Sequence, residues 1–260
     1  MREPNNRKAE VRVMHGHVPG EVHWLPPEAI GGGDPKERRQ VLLSACPPDT
    51  ETVTFAFGST KGTEASLGAT HLVLNPFATN YRGTGFDEPT YIYLSRLFST
   101  HVDELGQPVG QIVYELASLL RLMGIALGLG TGTAIHGRAA GSLRGRVVQF
   151  SRELRESVGA NYGIVVTEPR YSVRRRYQTI IPIVNGAEYG STLYDIAVAA
   201  SGAPWLAALE LESAVLMVPD VFSAFHASRI ANVLPTAVDE ATMNALDEAL
   251  RVHFGLWPDR

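Results

Sequence analysis

PGEVHWL, residues 19–25, sets an apolar run behind a Pro-Gly turn, and the same pattern returns as RGRVVQF at 144–150. Gly20 and Gly145 are 125 positions apart. The comparison continues in order down the chain. RRQVLLS (38–44) aligns with NYGIVVT (161–167), TFAFGST (54–60) with TIIPIVN (179–185), THLVLNP (70–76) with DIAVAAS (195–201), and YIYLSRLFS (91–99) with VLMVPDVFS (215–223), at spacings of 123 to 125. Few residues are identical, so the argument is the ordered series at near-constant spacing. The chain therefore reads as two tandem modules, 15–130 and 143–257, joined by a linker at 131–142 rich in Gly, Ala, Ser and Thr.

Within a module, short runs of Val, Ile, Leu, Phe and Tyr bounded by Gly, Pro, Asn and Asp predict strands at about 20–26, 39–45, 52–58, 70–75 and 90–95. Ile112, Leu116, Leu119, Leu120 and Met123 recur at helical spacing and predict a closing helix. A second helix is predicted from Pro235, Thr236, Asp239 and Glu240, whose carboxylates suit a first turn. Its expected apolar face is Val238, Met243, Leu246 and Leu250. The fold class that follows is α+β, mostly β, with two small curled sheets or barrels, each closed by a C-terminal helix.

Composition narrows the function. The 260 residues are 45% hydrophobic and 19% charged, enough for a real core. A net charge of −4 argues against a protein that coats nucleic acid through overall charge and leaves room for a local basic groove. The single cysteine, Cys46, excludes an internal disulfide and a cysteine zinc cluster, which fits a reducing compartment and makes the cytoplasm the expected location. The basic N-terminus lacks a following apolar segment, and the longest apolar run carries Glu115 and Arg121, so neither a leader nor a membrane span is expected.

In this order, PGEVHWL, RRQVLLS, TFAFGST, THLVLNP, TYIYLSRLFS and VGQIVYELASLLRLMGIALGL resemble the MazF/PemK toxins of toxin-antitoxin pairs, over most of residues 18–130. A fainter copy covers 143–256. The resemblance implies an SH3-like barrel of the CcdB/PemK kind, a dimeric assembly and metal-independent cleavage of single-stranded RNA without a cofactor. It also implies an antitoxin peptide as a further partner. The family arginine falls on Arg38 and the family threonine on Ser59, the expected catalytic pair. Near the last strand, where the family carries Asp-Gln, this chain has Ser95 and Arg96. In the second module the positions of Arg38 and Ser59 become Asn161 and Val184, so that module is expected to be a partner or lid with the two modules pairing as an intramolecular pseudo-dimer.

The chemistry asked of these residues is simple. Attack of a ribose 2′-hydroxyl on phosphorus wants a base for the proton and a planar cation for the charge growing on the phosphate oxygens, which arginine supplies as a fork of donors. Trp24, Arg39, Thr60 and Arg96 join as candidate RNA contacts. So do Arg174, Arg175 and Arg176 in YSVRRRYQT, where arginines and tyrosines interleave as on single-strand binding surfaces. Blander readings stand beside these. Arg38 and Arg39 could pair with Asp34 or Glu37, Ser59 and Thr60 could form a turn, and the basic run could be a solvated hairpin. The histidines of HGH (15–17) lack evident further ligands, so no metal site is expected, and GLGTG (128–132) lacks the strand and helix of a dinucleotide fingerprint. The alternative function is a non-catalytic pseudo-dimer binding nucleic acid or protein, including a CcdB-like inhibitor of a protein target.

Overall fold

The computed structural model describes residues 16–26, 37–44, 51–61, 71–75, 83–129, 141–168, 177–186, 195–225 and 229–256. The first half carries β1 (Glu21–Leu25), β2 (Arg38–Leu42), β3 (Thr52–Ser59), β4 (His71–Leu74), β5 (Thr90–His101), β6 (Gly110–Gln111) and helix α1 (Leu116–Ala126). The second carries β7 (Arg146–Phe150), α2 (Arg152–Val158), β8 (Tyr162–Val165), β9 (Tyr177–Asn185), β10 (Ile196–Ala199), β11 (Ser213–Leu216), β12 (Phe222–Phe225), β13 (Ile230–Ala237) and α3 (Glu240–His253). The chain is mostly β, and every strand pairing among the described residues is antiparallel. No helix among the described residues is long and apolar enough to cross a membrane.

The two sheets have the same order of strands. One runs β4-β5-β3-β2-β1-β6 and the other β10-β11-β9-β8-β7-β13, with β12 paired to β9. Their registers correspond residue by residue. Val22 faces Val41 and Val41 faces Ala56; at the sequence spacings, Val147 faces Ile164 and Ile164 faces Ile181. Ser59 faces Tyr91 as Val184 faces Val215, and Phe55 faces Phe98 as Ile180 faces Phe222. Irregular bonds repeat as well. Thr54 N–H donates to Ser44 Oγ (2.9 Å) and Thr179 N–H to Thr167 Oγ1 (2.7 Å). The β4–β5 pairing is the exception, since its counterpart β10–β11 is displaced by one residue.

Burial explains why the strands read as continuous apolar runs. In β3, Ala56 faces the large core while Val53, Phe55 and Phe57 face a smaller cluster with Leu25, Leu42 and Phe98, so both sides of the strand are covered. The large core is shared. Val22, Val41, Ile92, Leu119 and Met123 from the first half join Val147, Ile164, Ile181, Leu246 and Leu250 from the second.

Contacts between the halves are mutual. Ser99 Oγ donates to Val221 O (2.7 Å), while Ser223 Oγ accepts from Leu97 N–H (2.9 Å). Ser99 and Ser223 are equivalent positions, as are Leu97 and Val221. Each serine thus meets the backbone two residues before the other serine. A further tie is Arg144, whose guanidinium donates to Leu127 O (2.7 Å), to Val166 O and to Asp247 Oδ1, joining the end of α1, the end of β8 and α3.

Three expectations change in detail. β5 continues to His101 rather than ending near 95, because Leu94–Arg96 bulge out between two stretches of good pairing with β3. Ile112 is buried but precedes α1, while Leu119 and Met123 carry its inner face. Pro235 and Thr236 belong to β13, and α3 starts at the N-cap Asp239, whose carboxylate accepts from Thr242 N–H (2.9 Å). Residues 131–140 of the expected linker lie outside the described residues.

Candidate functional site

β1, β2 and β3 lie side by side, and the ends of β2 and β3 bring together residues 20 positions apart in sequence. A cleft there is lined by Trp24, Glu37, Arg38, Arg39, Gly58, Ser59, Thr60, Phe86, Asp87, Glu88 and Thr90. Five of the expected site residues, Trp24, Arg38, Arg39, Ser59 and Thr60, thus line one cleft. The cavity volume is about 220 Å³. That is below the roughly 300–1,000 Å³ of sites that engulf a whole small molecule, and it suits a fragment of a longer chain passing over it.

Neighbouring arginines on a strand point to opposite faces. Arg39 turns toward Trp24, with its guanidinium carbon 4.7 Å from the ring centroid, and Arg38 toward Phe57, at 5.7 Å. Arg39 Nη1 donates to Asp87 Oδ2 at 2.6 Å. Its Nε is buried with no hydrogen-bond partner among the described residues, so one edge of the fork still offers a donor. The cleft also carries Glu37 and Glu88, so its two arginines face three carboxylates. Ser59 Oγ accepts from Lys61 N–H (3.2 Å), the turn role the sequence allowed, and its own O–H still has a proton to give.

The β5 bulge aims Arg96 at the same region. Its guanidinium carbon lies 3.8 Å from the Phe57 centroid and 4.8 Å from that of Tyr177. Tyr177 opens β9, so an aromatic from the second half completes a stack begun by the first. Tyr91 and Tyr93, with centroids 6.4 Å apart, extend the aromatic row along β5. The contact between Arg96 and Tyr177 was not visible in the sequence, although YSVRRRYQT had marked the tyrosine's surroundings. Arg174, Arg175 and Arg176 lie outside the described residues.

The second half lacks this constellation at the matching positions. The sequence spacings place Asn161 where the first half has Arg38, Val184 at Ser59 and Asp220 at Arg96. Asp220 has its carboxyl pushed up from the ordinary value, chiefly by burial, with a hydrogen bond to Thr52 pulling the other way. His101 caps the 3-10 turn Val102–Glu104, its Nδ1 accepting from Asp103 N–H at 3.3 Å. Among the described residues one group of metal-ligating side chains comes together, His17, Glu21 and His23. Glu21 and His23 alternate with Trp24 along β1 and so project from the opposite face.

No protein-family description matches this chain, and no curated protein matches it. Solved structures that match include an endoribonuclease in complex with its cognate antitoxin from Mycobacterial species, at 15% identity, covering 45% of this chain and 99% of that one, with a TM-score of 0.34. At that score the likeness carries no argument, and the reading of the site rests on the residues above.

Proposed function

We propose that this chain is a toxin-like endoribonuclease of the MazF/PemK type, a tandem duplication whose halves pair within one chain and keep a single, altered site for single-stranded RNA in the first half. The observation that carries the reading is the convergence of Arg38 and Arg96 on Phe57, completed by Tyr177 from the second half, with Arg39 stacked on Trp24 on the other face of β2. Planar cations beside aromatic faces suit alternating phosphates and bases, whose stacking contributes about 1–3 kcal/mol per base. In the cleavage step Arg38 stabilises the charge growing on the phosphate oxygens. Ser59 donates a hydrogen bond to one of them, and Glu37 or Glu88 takes the proton of the 2′-hydroxyl as its oxygen bonds to phosphorus. The bond from phosphorus to the 5′-oxygen breaks, and that oxygen leaves with a proton from water, giving a 2′,3′-cyclic phosphate and a 5′-hydroxyl. The duplication is supported by the shared strand order and by registers that transfer at fixed spacings.

The test is incubation of the full chain with long single-stranded RNA in EDTA, beside Arg38→Ala and Ser59→Ala. Cleavage leaving a cyclic phosphate is expected, falling about 10² to 10³-fold in Arg38→Ala. Cleavage that survives both substitutions, or none in the parent chain, overturns the enzyme. One observation favours a second reading, in which RNA is bound and not cut: Ser95 and Arg96 stand near the last strand where the family carries Asp-Gln. RNA binding that is weakened by Arg38→Ala, with no cleavage by the parent, would select it.

A further inference from the structure

We infer that His17, Glu21 and His23 form a binding site for a divalent transition-metal ion of the zinc type, a site separate from the RNA cleft. Val18-Pro19-Gly20-Glu21 make a turn closed by Glu21 N–H donating to Val18 O (3.2 Å), with Gly20 at φ +93° where a side chain would be strained. That turn folds His17 back over the start of β1. Glu21 and His23, two apart on the strand, project from one face to meet it. His17 Nδ1 lies 3.0 Å and His23 Nε2 3.2 Å from the same oxygen, Glu21 Oε2, and the three ligand atoms all lie within 4.8 Å of one another. Zinc bonds of about 2.0–2.1 Å in tetrahedral geometry put neighbouring ligand atoms about 3.3 Å apart, close to the first two separations.

The proton inventory of His23 points the same way. Its Nδ1 lies 3.0 Å from Gly106 O, and a carbonyl only accepts, so Nδ1 carries the proton. Nε2 is then the ring's accepting nitrogen, 3.2 Å from the accepting oxygen Glu21 Oε2, and a cation between them would be held by both. A carbonyl that holds the far nitrogen of a histidine is the usual support for a metal ligand. The half-buried His17 and Glu21 leave a fourth position toward solvent, to be filled by water or a small anion.

The fold itself does not ask for this cluster. The second half builds the same turn, Arg146 N–H donating to Leu143 O (2.8 Å) with Gly145 at φ +75°. Its residues at the three positions are Ser142, Arg146 and Val148. Val148 is fully buried in an apolar cluster, where His23 is equally buried in the first half. A histidine in a place that valine fills has a task other than packing.

The experiment uses the full chain freed of metal by EDTA and dialysed, then titrated with Zn²⁺ by calorimetry and with Co²⁺ by visible absorption, beside His17→Ala and Glu21→Gln. Circular dichroism checks that both variants fold. The parent is expected to bind one ion per chain, give the intense visible band of low-coordinate Co²⁺ and unfold at a higher temperature with Zn²⁺ present. Each variant, having lost a direct ligand, is expected to lose affinity by at least the roughly 10–100-fold that removing an outer partner of a ligand costs. Equal binding by parent and variants, or no binding at 100-fold molar excess of Zn²⁺, overturns the site. So does nitrogen NMR showing both ring nitrogens of His23 protonated in the presence of Zn²⁺, which would leave a buried ion pair in its place.

Discussion

Thr54 Oγ1 and His253 Nε2 lie 2.8 Å apart, joining β3 of the first half to the last turn of α3 in the second. Thr54 is fully buried, and burial pushes the His253 imidazole down to about 4 from the ordinary 6.5. Its ring is neutral, and Nε2 shares this hydrogen bond with a hydroxyl that also donates to Pro219 O (3.4 Å).

The sign of the resulting pH dependence follows. Between about pH 6.5 and 4 the unfolded chain binds a proton that folded His253 refuses, so stability is full above that window and falls as the pH falls through it. At pH 5 the loss is on the order of 2 kcal/mol. Asp220, in the 3-10 turn Val218–Asp220 packed against α3, has a raised carboxyl pKa and works in the opposite direction just above the ordinary 3.8, offsetting part of the loss at more acid pH. Urea unfolding at pH 7 and pH 5 should show the decline in the parent and a smaller one in His253→Gln. Identical pH slopes would remove His253 as its cause.

Asp87 is largely exposed and holds Arg39 in a 2.6 Å ion pair, so it stands where an RNA phosphate would compete. Asp87→Asn is expected to tighten binding of single-stranded RNA several-fold at low salt, and Arg39→Ala to weaken it with a shallower salt slope. Fluorescence anisotropy with a labelled oligonucleotide reads both. Unchanged affinity in Asp87→Asn would mean that Arg39 does not meet the backbone.

Arg144 draws two carbonyls and the Asp247 carboxylate to one guanidinium, at about one-eighth exposure on each side. Removing one partner of such a pair leaves the other buried and uncompensated. Arg144→Ala should destabilise the chain by about 3–5 kcal/mol, and Arg144→Ala with Asp247→Asn by less than the sum of the two single changes. Additive effects in chemical denaturation would show that the pair is not coupled.

Asp239 caps α3 twice over, accepting from both Thr242 N–H and Thr242 Oγ1–H at 2.9 Å. Burial alone would raise its carboxyl pKa, yet these bonds outweigh it and the pKa ends below the ordinary value. Asp239→Ala is expected to cost about 1 kcal/mol and Asp239→Asn less, since an amide oxygen still caps. Thermal unfolding at pH 7 measures the difference.

The strands were legible because each is an apolar run between breakers, and the shared strand order was legible because those runs keep their spacing even where Val22 gives way to Val147 and Phe98 to Phe222. What escaped the sequence depends on where the chain turns. α2 was missed although Ser151 caps it and Gly159 ends it in the left-handed region, because the seven-residue helix buries little more than Leu154 and shows no periodic face. The β5 bulge has no local signature, and with it went the meeting of Arg96 with Phe57 and Tyr177. Arg38, Arg39, Ser59 and Thr60 could be named one by one, whereas Asp87, which answers Arg39, lies 48 positions further on. His17, Glu21 and His23 were visible as HVPGEVH, yet a Pro-Gly turn followed by period-two alternation is needed to see that they meet.

The paired serine contacts between the halves bear on how this chain tolerates change. In a dimer of identical subunits, a substitution at the position of Ser99 would strike both ends of the interface at once. Here Ser99 and Ser223 are written separately, so losing the bond to Val221 leaves the bond from Leu97 in place. Each mutation delivers half the dose to the interface. On the proposed duplication, a rim that holds a site and a rim that only holds the fold can then drift apart without the two halves ever parting.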